Sequence, residues 1–294
     1  MANALIFGVT GQDGYYLTEL CKARGIEPIG ISRTSIKYQG DVGRYEQVES
    51  FIRRFQPSYI FHVAANSTTR HDVLFENHET ISTGTLNILE AVKQHCPATK
   101  VFITGSGVQF HNNGQPISEQ DPFEASSPYS IARIQSVYAA RYYRSLGIQA
   151  YVGYLFHHES PLRKPDHVSQ KIALAVQRIS KGSKEIIELG DISVIKEWTF
   201  AKDVAEGIFT LLQQDQVYEA IIGSGIGHSI EQWLDCCFHE IEKDWRPHIQ
   251  IKETYKSEYP ILISNPVLIH QLGWQPKVDF EQLVKIMIQS KIYS

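Results

Sequence analysis

Short apolar runs alternate with stretches of helical spacing through the first half of the chain. Ala4 to Phe7, Glu27 to Ile31, Tyr59 to Val63, Lys100 to Ile103 and Ala150 to Leu155 read as strands. Between them, Tyr15 to Ala23, Arg44 to Phe55, Thr80 to His95 and Tyr129 to Leu146 repeat apolar residues at the spacing of one helix face. Strands separated by helices predict an α/β fold with a doubly wound parallel sheet. After about Phe156 the alternation weakens. Loops carrying Pro161, Pro165 and Pro247 separate isolated helices at His167 to Ser180 and Ser229 to Glu242, which predicts a smaller C-terminal lobe over the carboxyl ends of the strands. Two later apolar runs, Trp198 to Phe200 and Ala220 to Ile222, are expected to rejoin the sheet. No repeat or low-complexity tract interrupts the pattern.

Composition narrows this picture without changing it. At 294 residues and 43% hydrophobic, the chain can bury a full core. The 32 acidic and 28 basic side chains give a net charge of -4 with no basic run, so electrostatics supply no reason to expect nucleic acid or an anionic membrane. Cys21, Cys96, Cys236 and Cys237 form neither a metal-ligand spacing nor a disulfide framework, and a reducing cytoplasm is the expected setting. The chain enters its first apolar run without a basic leader or a span of about 20 apolar residues, so the mature protein is expected to begin at a strand.

The first chemistry appears at Gly8-Val9-Thr10-Gly11-Gln12-Asp13-Gly14, between the first strand and the helix that opens near Tyr15. Glycines there allow close backbone approach, and the helix N-terminus offers unpaired N–H groups to a pyrophosphate. This context predicts a Rossmann-like dinucleotide site. The second strand ends in Ser32-Arg33-Thr34-Ser35, without the carboxylate that would meet an NAD ribose; Arg33 would suit a 2′-phosphate, so NADP(H) is favoured over NAD(H). The expected division is a dinucleotide-binding domain over 1–160, rejoined by about 195–223, with a substrate lobe over about 161–194 and 224–294. His157-His158 is a poor metal site, since adjacent side chains on an extended segment diverge and no further ligands follow at suitable spacing.

Three further segments make the pattern specific. Tyr129-Ser130-Ile131-Ala132-Arg133, Leu155 to Pro161 and Lys196-Glu197-Trp198, taken with the glycine turn, Leu189-Gly190-Asp191, Ala201-Lys202-Asp203 and Leu272-Gly273-Trp274, resemble the GDP-mannose 4,6-dehydratase branch of the extended short-chain dehydrogenase/reductases over nearly the whole chain. The resemblance implies an enzyme acting on a nucleotide-activated sugar, GDP-linked as in that family, and a homodimer formed by the helices Thr80 to His95 and Tyr129 to Leu146. It implies that Gly8, Thr10, Gly11, Gln12, Asp13 and Gly14 hold the cofactor pyrophosphate and that Asp41 and Val42 border the adenine. Val63, Ala64, Ala65 and Ser67 would line the ribose and nicotinamide side, with His158 and Arg163 as further cofactor contacts. On the substrate side it implies Ser67, His157, Lys171 and Lys196. Tyr129 stands at the position of the family's proton-exchanging tyrosine and Ser106 at that of its hydroxyl partner.

Departures from the family pattern bear on the reaction. Arg133 replaces the lysine that supports the tyrosine; it retains the charge but does not readily yield a proton. Val108 stands where the dehydratases carry the glutamate that removes the C5 proton. Only Thr34 to Gly40 fill a loop that in the dehydratases is long and reaches a neighbouring subunit. Lys196 and Tyr259 occupy positions of two phosphate-binding arginines. These changes favour a 4-keto-6-deoxyhexose reductase. A dehydratase that recruits Glu159 or His157 as base, and a catalytically degenerate binding protein, are the alternatives.

Overall fold

Strand β1 (Asn3–Phe7) lies inside the sheet, its residues from Ala4 onward almost completely buried, which requires cover on both faces. In the computed structural model, which describes residues 2–252, 257 and 259–290, it pairs in parallel with β2 (Glu27–Ile31) and β3 (Tyr59–His62). The sheet continues through β4 (Lys100–Ser106) and β5 (Ala150–Leu155) to β10 (Glu219–Ile222), all parallel, in the order β10-β5-β4-β3-β1-β2. The fold is therefore the Rossmann-like doubly wound sheet that the alternation predicts.

Helices cover both faces. Those of α2 (Tyr45–Phe55), α4 (Gly84–His95) and α5 (Pro128–Ser145) pack one side, where Val48, Ile52, Ile88, Leu89 and Val137 have no exposed surface. On the other side lie α1 (Gln12–Ala23) and α7 (Ala201–Leu212), with Leu17, Phe61, Phe102, Ile208 and Phe209 forming a second core. Burying each of these large side chains contributes about 1.5–3 kcal/mol. Ahead of α4, the short α3 (Leu74–Asn77) leads into a π-helical turn, His78–Thr83, where a single continuous helix from Thr80 is expected. The Ile81 carbonyl in this turn accepts from the hydroxyls of Thr85 (2.7 Å) and Ser136 (3.1 Å), which offset its irregular backbone bonding.

A third core lies beyond β5. The helices α6 (Val168–Ser180), α8 (Ile230–His239) and α10 (Phe280–Gln289) surround the stacked pair Trp198 and Trp233, 4.7 Å between ring centroids. Small ribbons edge it: β7 (Ile187–Leu189) with β12 (Ile249–Ile251), and β8 (Ile195–Glu197) between β11 (Gly227–Ser229) and β13 (Ile261–Leu262). The short helix α9 (Val267–Gln271) leads into Trp274, whose indole N–H donates to the Asp203 carbonyl at 2.8 Å. Buried Glu197 accepts from the backbone N–H of Ser224 and Ser264, joining β8 to the ends of β10 and β13.

One expected strand falls elsewhere. Thr199–Phe200, named β9, does not rejoin the main sheet; it pairs with β6 (His158–Glu159), while Trp198 is drawn into the third core. Burial against Trp233 accounts for this apolar run outside the main sheet. Only the Ala220 to Ile222 run returns there, as part of β10.

Glu219 latches this last strand. Its carboxylate accepts from Arg141 (2.9 and 2.7 Å), from the Tyr154 hydroxyl (2.5 Å) and from Arg144, joining β10 to α5 and β5. Burial alone would raise its pKa, but bonds from Arg141, Tyr154 and Arg144 outweigh burial and lower it to about 2. Because the folded-state pKa is depressed, this stabilisation is present above the ordinary carboxyl pKa and is lost as pH falls from about 4.5 towards 2. Glu219→Gln is expected to cost about 2–4 kcal/mol at neutral pH and to flatten that part of the acid-unfolding curve, measured by thermal melts across pH.

Candidate active site

The loops after β1, β3, β4 and β5 open at one edge of the sheet and enclose a cavity of about 330 Å³. The glycine turn forms its floor. Gly8 has φ 97° and lies so close to the chain after β3 that a Cβ would stand 2.6 Å from the Ala64 nitrogen. A Cβ on Gly14 would lie 2.4 Å from the Gly8 carbonyl oxygen. Packing therefore explains these two glycines. Gly11 differs, since its nearest neighbour would be 3.4 Å away, leaving open space on the cavity wall beside the first N–H groups of α1. That opening and those donors fit a dinucleotide pyrophosphate.

Side chains across the turn are mutually engaged. Gln12 donates to the His158 carbonyl (3.2 Å) and accepts from the Ser160 hydroxyl (2.7 Å), so its amide fastens the turn to the segment after β5. His158 donates from Nδ1 to the Phe156 carbonyl (2.7 Å) and from Nε2 to the Asp13 carboxylate (2.9 Å). Burial favours the neutral ring, but Asp13 outweighs it and raises the His158 pKa above 6.5. Burial likewise pushes against ionisation of Asp13, and His158, Arg163 and Gln12 reverse the effect. Val63, Ala65, Ser67, Thr10 and Arg163 also line this cavity, whereas Ala64 supports Gly8 from behind.

The expected adenine-side residues lie off this wall. Arg33 is exposed and pairs with Glu76 (3.1 Å), which also accepts from Asn66. Asp41 accepts from the Gly43 N–H, and buried Val42 accepts through its carbonyl from Asn87 at 2.9 Å.

The reacting groups expected from the sequence meet in the same cavity. Ser106 ends β4 and caps the following turn, reciprocally bonded with Gln109. Ser127 caps α5 and Pro128 fixes its first turn, which sets Tyr129 at the cavity edge. One turn later, Arg133 is buried, its guanidinium carbon 5.0 Å from the Tyr129 ring centroid, donating to the Thr104 carbonyl at 2.5 Å. Its Nε has no partner among the described residues. Burial and this cation together depress buried His62 to about 4, so His62 is neutral. Val108 also lines the cavity and packs against the core, placing hydrocarbon beside Ser106 and Tyr129.

A second cavity, about 590 Å³, opens within the smaller lobe. Lys171 and Lys196 line it. Lys171 donates to the Glu188 carbonyl (2.6 Å), whereas Lys196 has no hydrogen bond or ion pair among the described residues, and burial lowers its pKa. His157 and His167 border both cavities. Ser67 reaches only the first, and the Tyr259 hydroxyl meets Ser126 at 2.5 Å, just before the cap of α5. The Asp13–His158 link and the seam position of His167 escape sequence reading because they depend on contacts across the fold; the divergence of His157 and His158 follows directly from an extended backbone.

Comparison with known proteins bears on the fold and the family. A family model described as GDP-mannose 4,6 dehydratase matches residues 34–287. GDP-mannose 4,6 dehydratase 1 of Arabidopsis thaliana is 31% identical, covering 98% of this chain and 89% of its own. The Vibrio cholerae GDP-mannose 4,6-dehydratase is 28% identical over 99% and 94% of the two chains. Among solved structures, the Thermus thermophilus UDP-glucose 4-epimerase complex with NAD superposes with a TM-score of 0.84 at 23% identity, over 97% of both chains. RMD from Pseudomonas aeruginosa complexed with NADPH gives 0.86 at 17%, over 98% of both; at such identities the likeness establishes the fold. The chain belongs to the GDP-mannose 4,6 dehydratase family, within the extended short-chain dehydrogenase/reductases.

Proposed function

We propose that the protein exchanges hydride between NADP(H) and C4 of a GDP-linked hexose, acting as a 4-keto-6-deoxyhexose reductase. The observation that carries this reading is the convergence of Ser106, Tyr129 and Arg133 on the cavity that holds the glycine turn, with hydrocarbon at Val108 beside them. The cofactor supplies or accepts the hydride. Tyr129 exchanges a proton with the C4 oxygen, Ser106 orients that oxygen, and the Arg133 cation favours negative charge on it. The main-sheet part, 1–160 with about 201–223, binds the dinucleotide. The lobe over about 161–200 and 224–294 takes the sugar nucleotide, with Lys196 free of hydrogen bonds and ion pairs among the described residues and available to its diphosphate.

Arg33 supports NADP over NAD, since no carboxylate closes β2 and the exposed guanidinium can exchange Glu76 for a 2′-phosphate. Exposed Leu86 on α4 and Tyr138 and Tyr142 on α5 support a homodimer through those helices. Free cysteines suit a reducing cytoplasm, and no helix among the described residues is long and apolar enough to cross a membrane. Family membership favours a second reading, a GDP-mannose 4,6-dehydratase with a base other than residue 108.

NADPH oxidation with GDP-4-keto-6-deoxymannose is the expected activity. Conversion of GDP-mannose to the 4-keto-6-deoxy sugar with NADP+ would instead establish the dehydratase, and binding of NADPH without turnover of any nucleotide-linked 4-keto sugar would identify a degenerate enzyme. Tyr129→Phe should lower kcat about 10²- to 10⁴-fold with little change in NADPH affinity. Arg33→Ala should weaken NADPH binding about tenfold or more while leaving NADH binding unchanged; equal losses for both in a fluorescence titration would reject the 2′-phosphate role.

A further inference from the structure

His157 is an acid/base group at the site that the reading above leaves unused. Its ring borders both the Tyr129 cavity and the lobe cavity, so it stands where a sugar joined to a lobe-bound nucleotide must pass. Its Nδ1 is buried without a partner, and the imidazole forms no hydrogen bond or ion pair among the described residues. Most neighbouring bases are committed, and Asp166, which has no hydrogen bond or ion pair among the described residues, borders only the lobe cavity. Glu159 accepts from Ser169 at 2.7 Å and lies 3.4 Å from Arg163, His167 meets Arg163 at 3.2 Å, and both nitrogens of His158 are engaged. Glu188 pairs with Lys252 and Asp191 accepts from Ser193, both on the lobe side. An orphaned buried nitrogen between two ligand-sized cavities requires an explanation beyond packing.

We infer that His157 transfers protons at a carbon next to C4 of the bound sugar, giving the site carbon-acid chemistry in addition to hydride exchange. The inference rests on the proposal that a C4 ketone sits against Tyr129 and Ser106. A carbonyl there acidifies the hydrogens on C3 and C5. The C–H bond breaks, and its electron pair forms the carbon–carbon double bond of an enolate. The carbonyl π pair moves to the C4 oxygen, held by the Tyr129 hydroxyl and favoured by the Arg133 charge, while the proton passes to His157. Return of a solvent-exchanged proton completes a cycle with no net redox change.

The electrostatics fit this use. Burial first, then Lys196, Arg163, His158 and His167, push the His157 pKa well below 6.5, so the ring is neutral and ready to accept. A ring so depressed is a weak base in the empty site. A nucleoside diphosphate brings negative charge beside Lys196, offsets part of that repulsion and strengthens the base when substrate is bound.

The test incubates the enzyme with NADP+ and GDP-4-keto-6-deoxymannose in D2O, where hydride transfer to the ketone is absent, and follows deuterium at C3 and C5 by NMR and mass spectrometry. Wild type should incorporate deuterium at one of these carbons at least about tenfold faster than the enzyme-free sugar. His157→Gln and His157→Asn should each slow incorporation about 100-fold at saturating substrate. Lack of enzyme-dependent incorporation in wild type overturns the inference, as does full incorporation in both variants once substrate is raised, which would make His157 a binding group only. Melting curves and NADPH titrations check the fold of each variant; should both misfold, the wild-type measurement decides. Incorporation without NADPH oxidation in a parallel assay would reject the reductase and leave the proton transfer standing. NADPH oxidation without incorporation would do the reverse.

Discussion

Everything at the site follows from six strands pointing the same way. Parallel strands cannot be joined by tight turns; each must be followed by a crossover that returns to the opposite edge. All the carboxyl ends therefore collect on one side, and the segments leaving them are free of the sheet's bonding pattern. The glycine turn leaves β1, Val63 to Ser67 leave β3, Ser106 ends β4, and His157 and His158 follow β5. Residues almost 150 positions apart thus become neighbours, as Gln12 and Ser160 do at 2.7 Å. The hydrophobic layers on either side fix this meeting place because repacking one strand would disturb both faces.

The same geometry gathers charged side chains of both signs, and leaves some of the cations incompletely paired. Among the described residues, the Nε of buried Arg133 and the Lys196 ammonium in the lobe cavity have no partner, while His158 and Arg163 pair with the Asp13 and Glu159 carboxylates. Buried cations without full compensation destabilise a protein by itself. Their presence around two cavities makes sense for a ligand carrying several negative charges, which would complete the electrostatics that the chain leaves open. Burial is the main cause of the depressed pKa values of His62, His157 and Lys196, with neighbouring cations adding to it.

Much of this was legible in the sequence. The five early strands, the glycine turn and the convergence of Tyr129, Arg133 and Ser106 follow from periodicity, local glycine chemistry and family motifs. Features that need distance in sequence were not. Glu76 reaches Arg33 only through the packing of α3 beside the end of β2, and the Thr199–Phe200 strand sits beside β6 because Trp198 finds Trp233. The π-helical turn at His78–Thr83 was hidden because one extra residue in a turn barely disturbs an amphipathic pattern. Seven residues fill the loop after Arg33, as counted, yet neither Asp41 nor Val42 reaches the cavity, since side-chain direction in an irregular loop has no periodic signature.

Strand β10 also carries a consequence for how the molecule is made. Its partner β5 ends at Leu155, whereas β10 begins at Glu219, so a ribosome must deliver more than 60 further residues before that edge is covered. Every residue of β5 is buried in the finished protein. During synthesis its unpaired side is an apolar template on which another nascent chain could form the same ladder. The arginines of α5 already stand beside it, so the arrival of one carboxylate at position 219 both closes the sheet and ends that exposure.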